Sequence, residues 1–121
     1  MEKWIFKILL PNEWASCQNN VSYAGAPIDI SDEYIHFSAL GQLQETADRH
    51  FSAEQAIHIV AFSSIAWTHS LKWEPSRGGQ LFPHLYEPLD MTLAVKSWLL
   101  EKDPEGVFDI SAITLWVQNH D

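Results

Sequence analysis

The sequence predicts an α+β domain, and three features carry that reading. Residues 57–62 form a nearly unbroken apolar run rich in branched side chains, as a buried central strand requires. Residues 39–51 carry an amphipathic helical pattern, and the remaining candidate elements are mostly strand-like, with two helices near the N-terminus. With 46% hydrophobic residues, 121 residues are enough to bury one core and too few to divide comfortably into two, so residues 1–121 are read as a single domain.

Taken in order, residues 4–10 are apolar and β-friendly with Lys7 the single charge, which suits a strand covered on most of its surface. Pro11 opens a short helix over about residues 11–18, where Trp14, Cys17 and Val21 recur at near-helical spacing. Asn19, Asn20, Gly25 and Pro27 make residues 19–30 a loop or an irregular crossing. The short segment Tyr34-Ile35-His36-Phe37 is β-prone, and alternation puts His36 with Tyr34 on one face and Ile35 with Phe37 on the other. Ser38 stands as an N-cap for the helix over residues 39–51, in which Leu40, Leu43, Ala47 and Phe51 form the apolar stripe. Residues 67–73 fit no single assignment. Pro75, Gly78, Gly79, Pro83 and Pro88 then exclude a regular helix from a long segment of the kind that often carries function. Residues 93–100 and 113–117 are further strand candidates, separated by an acidic turn over 101–106.

Composition narrows the function. Sixteen acidic residues against seven basic ones give a net charge of -9, and the basic residues are scattered singly, so no nucleic-acid partner is expected. A small anionic or nucleotide ligand remains open, because one arginine in a pocket can hold a phosphate. Cys17 is the only cysteine, which leaves no internal disulfide and points to a cytoplasmic protein. Ala15-Ser16-Cys17 imitates the end of a lipoprotein signal, but the apolar stretch before it is short and broken by Lys7. No window approaches the roughly 18 to 20 apolar residues that span a bilayer, so no membrane association is expected either. The chain is read as a monomer or a weak homo-oligomer.

Chemistry-bearing residues gather in three places. His36 lies at a strand-to-helix transition with Ser38 close by; it can bond a ligand hydroxyl or amide, or it can be a core-edge histidine satisfied by backbone. Arg77-Gly78-Gly79 sets a guanidinium beside residues that let amides converge on an anion, although Arg77 can equally pair with Glu74 while the glycines merely turn the chain. In Phe82-Pro83-His84-Leu85-Tyr86, His84 and Tyr86 share a side, one able to hydrogen-bond a planar ligand and the other to stack on it, with aromatic packing as the alternative. Glu74 and Glu87 are the nearby carboxylates able to act as a base or to stabilise a cation. His50, His58, His69 and His120 show no metal-ligand spacing, so no metal is assigned, and Cys17 lacks the surroundings of a nucleophile.

Three blocks, Trp4-Ile5-Phe6-Lys7-Ile8-Leu9, Tyr34-Ile35-His36-Phe37-Ser38 and the long Leu71-Lys72-Trp73-Glu74-Pro75-Ser76-Arg77-Gly78-Gly79-Gln80-Leu81-Phe82-Pro83-His84-Leu85-Tyr86, together resemble a bacterial and plant family called domain of unknown function 952, over residues 4 to about 100. The resemblance implies a compact ADP-ribosyltransferase-like domain with a split mixed β-core and two N-terminal helices. Within that wider group, Lys7 falls where a polar residue, commonly histidine, stands on the first strand. His36-Phe37-Ser38 is similar to the His-x-Ser of RNA 2'-phosphotransferases, and residues 82–86 correspond to a third motif. The implied function is binding of NAD or an ADP-ribose-type nucleotide in a cleft, with an ADP-ribosyl or glycosyl transfer as its chemistry. In that reading His36, His84 and Glu74 are the catalytic candidates, while Lys7, Ser38, Arg77, Gly78, Gly79 and Tyr86 are the binding candidates. The alternatives are a non-catalytic small-ligand or protein-binding module, and an RNA-modifying enzyme, which the acidic balance disfavours.

Overall fold

Alternation along the strands builds the core from both sides of one sheet. The computed structural model describes residues 2–121, apart from the side chain of Arg77. Strand β1 (Trp4–Leu9) pairs antiparallel with β3 (Ala56–Ser63), which pairs antiparallel with β6 (Lys96–Glu101), so β3 is central as its apolar run requires. Phe6 and Ile8 of β1, with Ile57, Ile59 and Ala61 of β3, face helices α3 (Leu40–His50) and α4 (Ser111–His120), which contribute Leu43, Ala47 and Ile113. On the opposite face Ile5, Leu9, Val60 and Phe62 meet the second sheet.

That second sheet has the order β2 (Ile35–His36), β5 (Leu81–Leu85), β4 (Leu71–Pro75), again antiparallel. Ile35, Leu85 and Leu71 lie opposite one another and point inward to the shared core, together with Phe37 and Trp73. One residue on along β2, His36 faces His84, which faces Lys72, so this row points outward. The pairing of Tyr34 with His36, and of Ile35 with Phe37, therefore falls as the alternation predicts, the Tyr34 and His36 rings lying 4.6 Å apart.

Among the described residues, one bridge joins the two sheets at an edge. The Phe6 amide donates to the Ser38 carbonyl at 2.8 Å, and the Ser38 amide donates to the Phe6 carbonyl at 2.9 Å. The bridge is isolated, with no ladder continuing from it, and a cleft lined by residues of both β1 and β2 opens beside it.

Several expectations need correction. Every strand pairing is antiparallel rather than mixed. The helices number more than the two expected near the N-terminus: besides α1 (Pro11–Cys17) and α3, a short α2 (Pro27–Asp32) occupies the presumed loop, with proline at its first position and the Asp29 carboxylate accepting from the Ala26 amide at 2.8 Å. Residues 113–117 are helical, not extended. Their β-branched content misleads, because Ile113, Trp116 and Val117 recur at helical spacing and pack on the same cluster as Trp98, while Asp109 accepts from the Ser111 amide at the helix start. Ser38 is not the cap of α3; Ala39 holds that position, its amide donating to Gln42 Oε1 at 3.0 Å, and the Ser38 hydroxyl bonds Thr46 Oγ1. The segment after Pro75 regains regular structure as β5, since Pro83 needs no ladder donor where Phe37 donates to its carbonyl.

Candidate functional site

The cleft at the divergence of the sheets has a volume of about 630 Å³, within the range typical of small-ligand sites. β1 lines it with Phe6, Lys7 and Ile8; β2 and its continuation give His36 and Ser38; β5 gives Phe82 and His84. Helix α3 closes one side with Thr46 and His50, and Glu13, Asp32 and Glu54 place carboxylates along it. Because the Phe6 amide and carbonyl both reach outward to Ser38, antiparallel alternation turns the N–H and C=O of Ile8, two residues on, toward the same outer edge and into the cleft.

Beneath the cleft lies a buried charge cluster. Lys7 and Asp29 are 4% and 1% exposed, and their ion pair measures 2.8 Å. Asp29 Oδ2 also accepts from the Ala26 amide, while Oδ1 takes the His36 amide at 3.0 Å and His36 Nδ1 at 2.7 Å. Lys7 donates a second bond to the His36 carbonyl at 3.0 Å. Such saturation is what a buried carboxylate and ammonium need to repay their lost hydration. Burial alone would raise the Asp29 carboxyl, but the His36 hydrogen bond and the Lys7 charge outweigh it and hold the group well below the usual carboxylate range. Burial pushes the Lys7 ammonium down against the pull of Asp29. His36 Nε2 faces Asp32 Oδ2 at 2.9 Å, so both of its ring nitrogens meet carboxylates of α2.

A second group stands beside the first on the outer face of the β4–β5–β2 sheet. His84 Nδ1 lies 2.9 Å from Glu74 Oε1, and the Tyr86 hydroxyl donates to the same oxygen at 2.6 Å. Tyr34 stacks on His84 with ring centroids 4.0 Å apart, and the His36 and His84 rings are 5.7 Å apart. Burial holds the His84 imidazole below its ordinary value, against the opposing pull of Glu74. The Tyr86 hydrogen bond, then that of His84, holds Glu74 below the usual glutamate value, and the same bond pushes Tyr86 up to about 12.

Of the candidate residues, Lys7, His36, Ser38 and His84 line one cleft. Glu74 touches it only through His84, and Tyr86 borders a separate hollow of about 310 Å³ that it shares with Tyr34 and Glu87. Gly78 and Gly79 take positive φ in an exposed turn and do not line the cleft, although Ser76 does. The Arg77 side chain lies outside the described residues. Sequence reasoning missed Asp29 and Asp32, and it gave Tyr34 no part in the site. A lone lysine in an otherwise apolar strand was a signal for a buried carboxylate, and proline followed two residues later by aspartate was a signal for a helix start.

The architecture and the cleft define a small α+β protein of two antiparallel three-stranded sheets that diverge around a candidate ligand site. The chain belongs to DUF952, a family described as proteins of unknown function, whose model matches residues 8–97. The crystal structure of protein CC0527 from Caulobacter crescentus is 35% identical with a TM-score of 0.85, covering 93% of this chain and 98% of that one. A crystal structure of a double mutant of CC0527 gives the same values. Its solution NMR structure gives a TM-score of 0.80 at 35% identity, covering 91% of this chain and 95% of the other. No functionally curated protein matches the chain.

Proposed function

We propose that the cleft binds NAD or a related ADP-ribose-type nucleotide through its nicotinamide-ribose end, on an ADP-ribosyltransferase-like arrangement of the two sheets. The observation that carries this reading is the outward-facing Ile8 N–H and C=O beside the Ser38 hydroxyl. A donor and an acceptor side by side on a strand edge complement a carboxamide, and a neighbouring hydroxyl can complete the contact. The carboxylates of Glu13, Asp32 and Glu54 favour a cationic ring over a bare polyphosphate. Phe82 lines the cleft with an aromatic ring, and His84 supplies an imidazole for a ribose hydroxyl. The corresponding reaction is cleavage of the glycosidic bond to nicotinamide with transfer of the ADP-ribosyl group. Isothermal titration with NAD, nicotinamide and ADP-ribose tests the binding: saturable heat with NAD and nicotinamide is expected, and no heat with any of the three overturns it.

A second reading, a pocket that binds without turnover, is favoured by one observation. The charged groups are committed internally, with Lys7 on Asp29, both His36 nitrogens on carboxylates, and Glu74 on His84 and Tyr86. Chromatographic assay for released nicotinamide separates the two readings, since the pocket alone releases none.

A further inference from the structure

The two histidines at the floor of the cleft are held in different ways, and the difference assigns them different duties. His36 is enclosed between carboxylates, with Asp29 at Nδ1 and Asp32 at Nε2, and its amide and carbonyl are also engaged by Asp29 and Lys7. No nitrogen of that ring reaches a ligand unless an existing hydrogen bond breaks. His84 has Nδ1 fixed by Glu74, a residue outside the cleft lining, and one ring face covered by Tyr34, which is also outside it. What His84 contributes to the cleft is therefore the part of its ring turned away from both.

We infer that, of these two, His84 meets the ligand, its Nε2 accepting a hydrogen bond from a small donor such as a sugar hydroxyl or a carboxamide N–H, while His36 is a positioning residue that ties helix α2 to the floor. This rests on the nucleotide reading for the ligand's identity and on geometry alone for the division of roles. Glu74 anchors Nδ1–H and so selects the tautomer that leaves the Nε2 lone pair available, as a second carboxylate does for many working histidines. Tyr86 steadies Glu74 through the same oxygen. The His84 side chain is only 4% exposed, so the matching group must be compact enough to reach a narrow opening. In a transfer reaction the same nitrogen can take the proton of an attacking hydroxyl as its oxygen forms the new bond to ribose and nicotinamide departs; the acceptor is then an alcohol or water.

The groups facing His84 are Glu74, His36 and Asp32 by charge, with Tyr34 against its ring and Lys72 and His36 opposite it across the strands. Burial favours the neutral ring, which keeps the acceptor form available at neutral pH.

The test follows the imidazole nitrogens by NMR in the full chain, with NAD and nicotinamide as probes, beside affinities for His84→Ala and Glu74→Gln. His84 is expected as the Nδ1–H tautomer in the unliganded protein, its Nε2 signal moving on titration while those of His36 stay in place. His84→Ala is expected to weaken nicotinamide binding by about tenfold, the size of one hydrogen bond, and Glu74→Gln by less. Affinity that weakens as pH falls below 6.5, and ceases to do so in His84→Ala, supports the acceptor role. An Nε2–H tautomer, movement of His36 instead of His84, or unchanged affinity in a folded His84→Ala overturns it. Should neither probe bind the wild-type chain, the nucleotide reading fails, and the unliganded tautomer still decides the assignment of His84.

Discussion

The two sheets of this protein are built alike and covered differently. The β1–β3–β6 sheet has helices on one face and the second sheet on the other, so its side chains serve packing, whereas the β4–β5–β2 sheet lends one face to the core and turns the other outward. That outer face collects His36, His84, Lys72 and Glu74, with Tyr34 and Tyr86 against them. Residues that must meet a ligand need a surface that packing does not claim, and the cleft lies where the covered sheet parts from the half-covered one.

Substitutions on the two sides sharpen this contrast. On the covered side, Phe62→Ala removes a fully buried ring and is expected to cost about 3–5 kcal/mol in urea unfolding. The charge cluster at the junction is expected to be as sensitive: Asp29→Ala strands a buried ammonium and costs about 3–5 kcal/mol. Pairing it with Lys7→Met is expected to restore much of that loss; a double variant no better than Asp29→Ala contradicts a stranded charge as the cause.

Backbone constraints divide the same way. Gly25 has φ +107°, and an added Cβ would lie 2.5 Å from Asp29 Cβ, so Gly25→Ala is expected to lose about 1–3 kcal/mol. Gly78 also has positive φ, but open space surrounds it; Gly78→Ala is expected to cost about 1 kcal/mol or less by thermal unfolding. Equal losses at the two glycines would remove any special role for the packing around Asp29.

A smaller effect concerns pH. The folded protein resists protonating His84, whereas the unfolded chain takes up that proton near pH 6.5. The stability linked to His84 is therefore full above about pH 6.5 and declines as pH falls from there toward the lowered folded value. In His84→Gln the melting temperature is expected to change less over that interval. An unchanged slope assigns the decline to other groups.

Much of the covered sheet was legible because its signals are local. The run at 57–62 could only be central, and the stripe of Leu43 and Ala47 marked one helix face. Alternation alone put His36 and Tyr34 on one face of their segment and Ile35 and Phe37 on the other. The charge cluster was not legible in this way, because Asp29 lies 22 residues from Lys7 and acts through a contact that tertiary folding creates. Composition hid α2, since Gly25 and Pro27 read as loop signals although the proline begins a helix. At the C-terminus, branched residues outweighed the helical spacing that buries Ile113 beside Trp116. Alternation placed Tyr34 beside His36 but not its stack on His84, which joins β5 to a residue just outside β2.

Backbone amide shifts in an NMR titration with NAD test the cleft most directly. Saturable movement of Ile8, Ser38, Thr46 and His84 is expected, with the amides of β6 unmoved. No movement, or movement confined to β6 and α4, contradicts it.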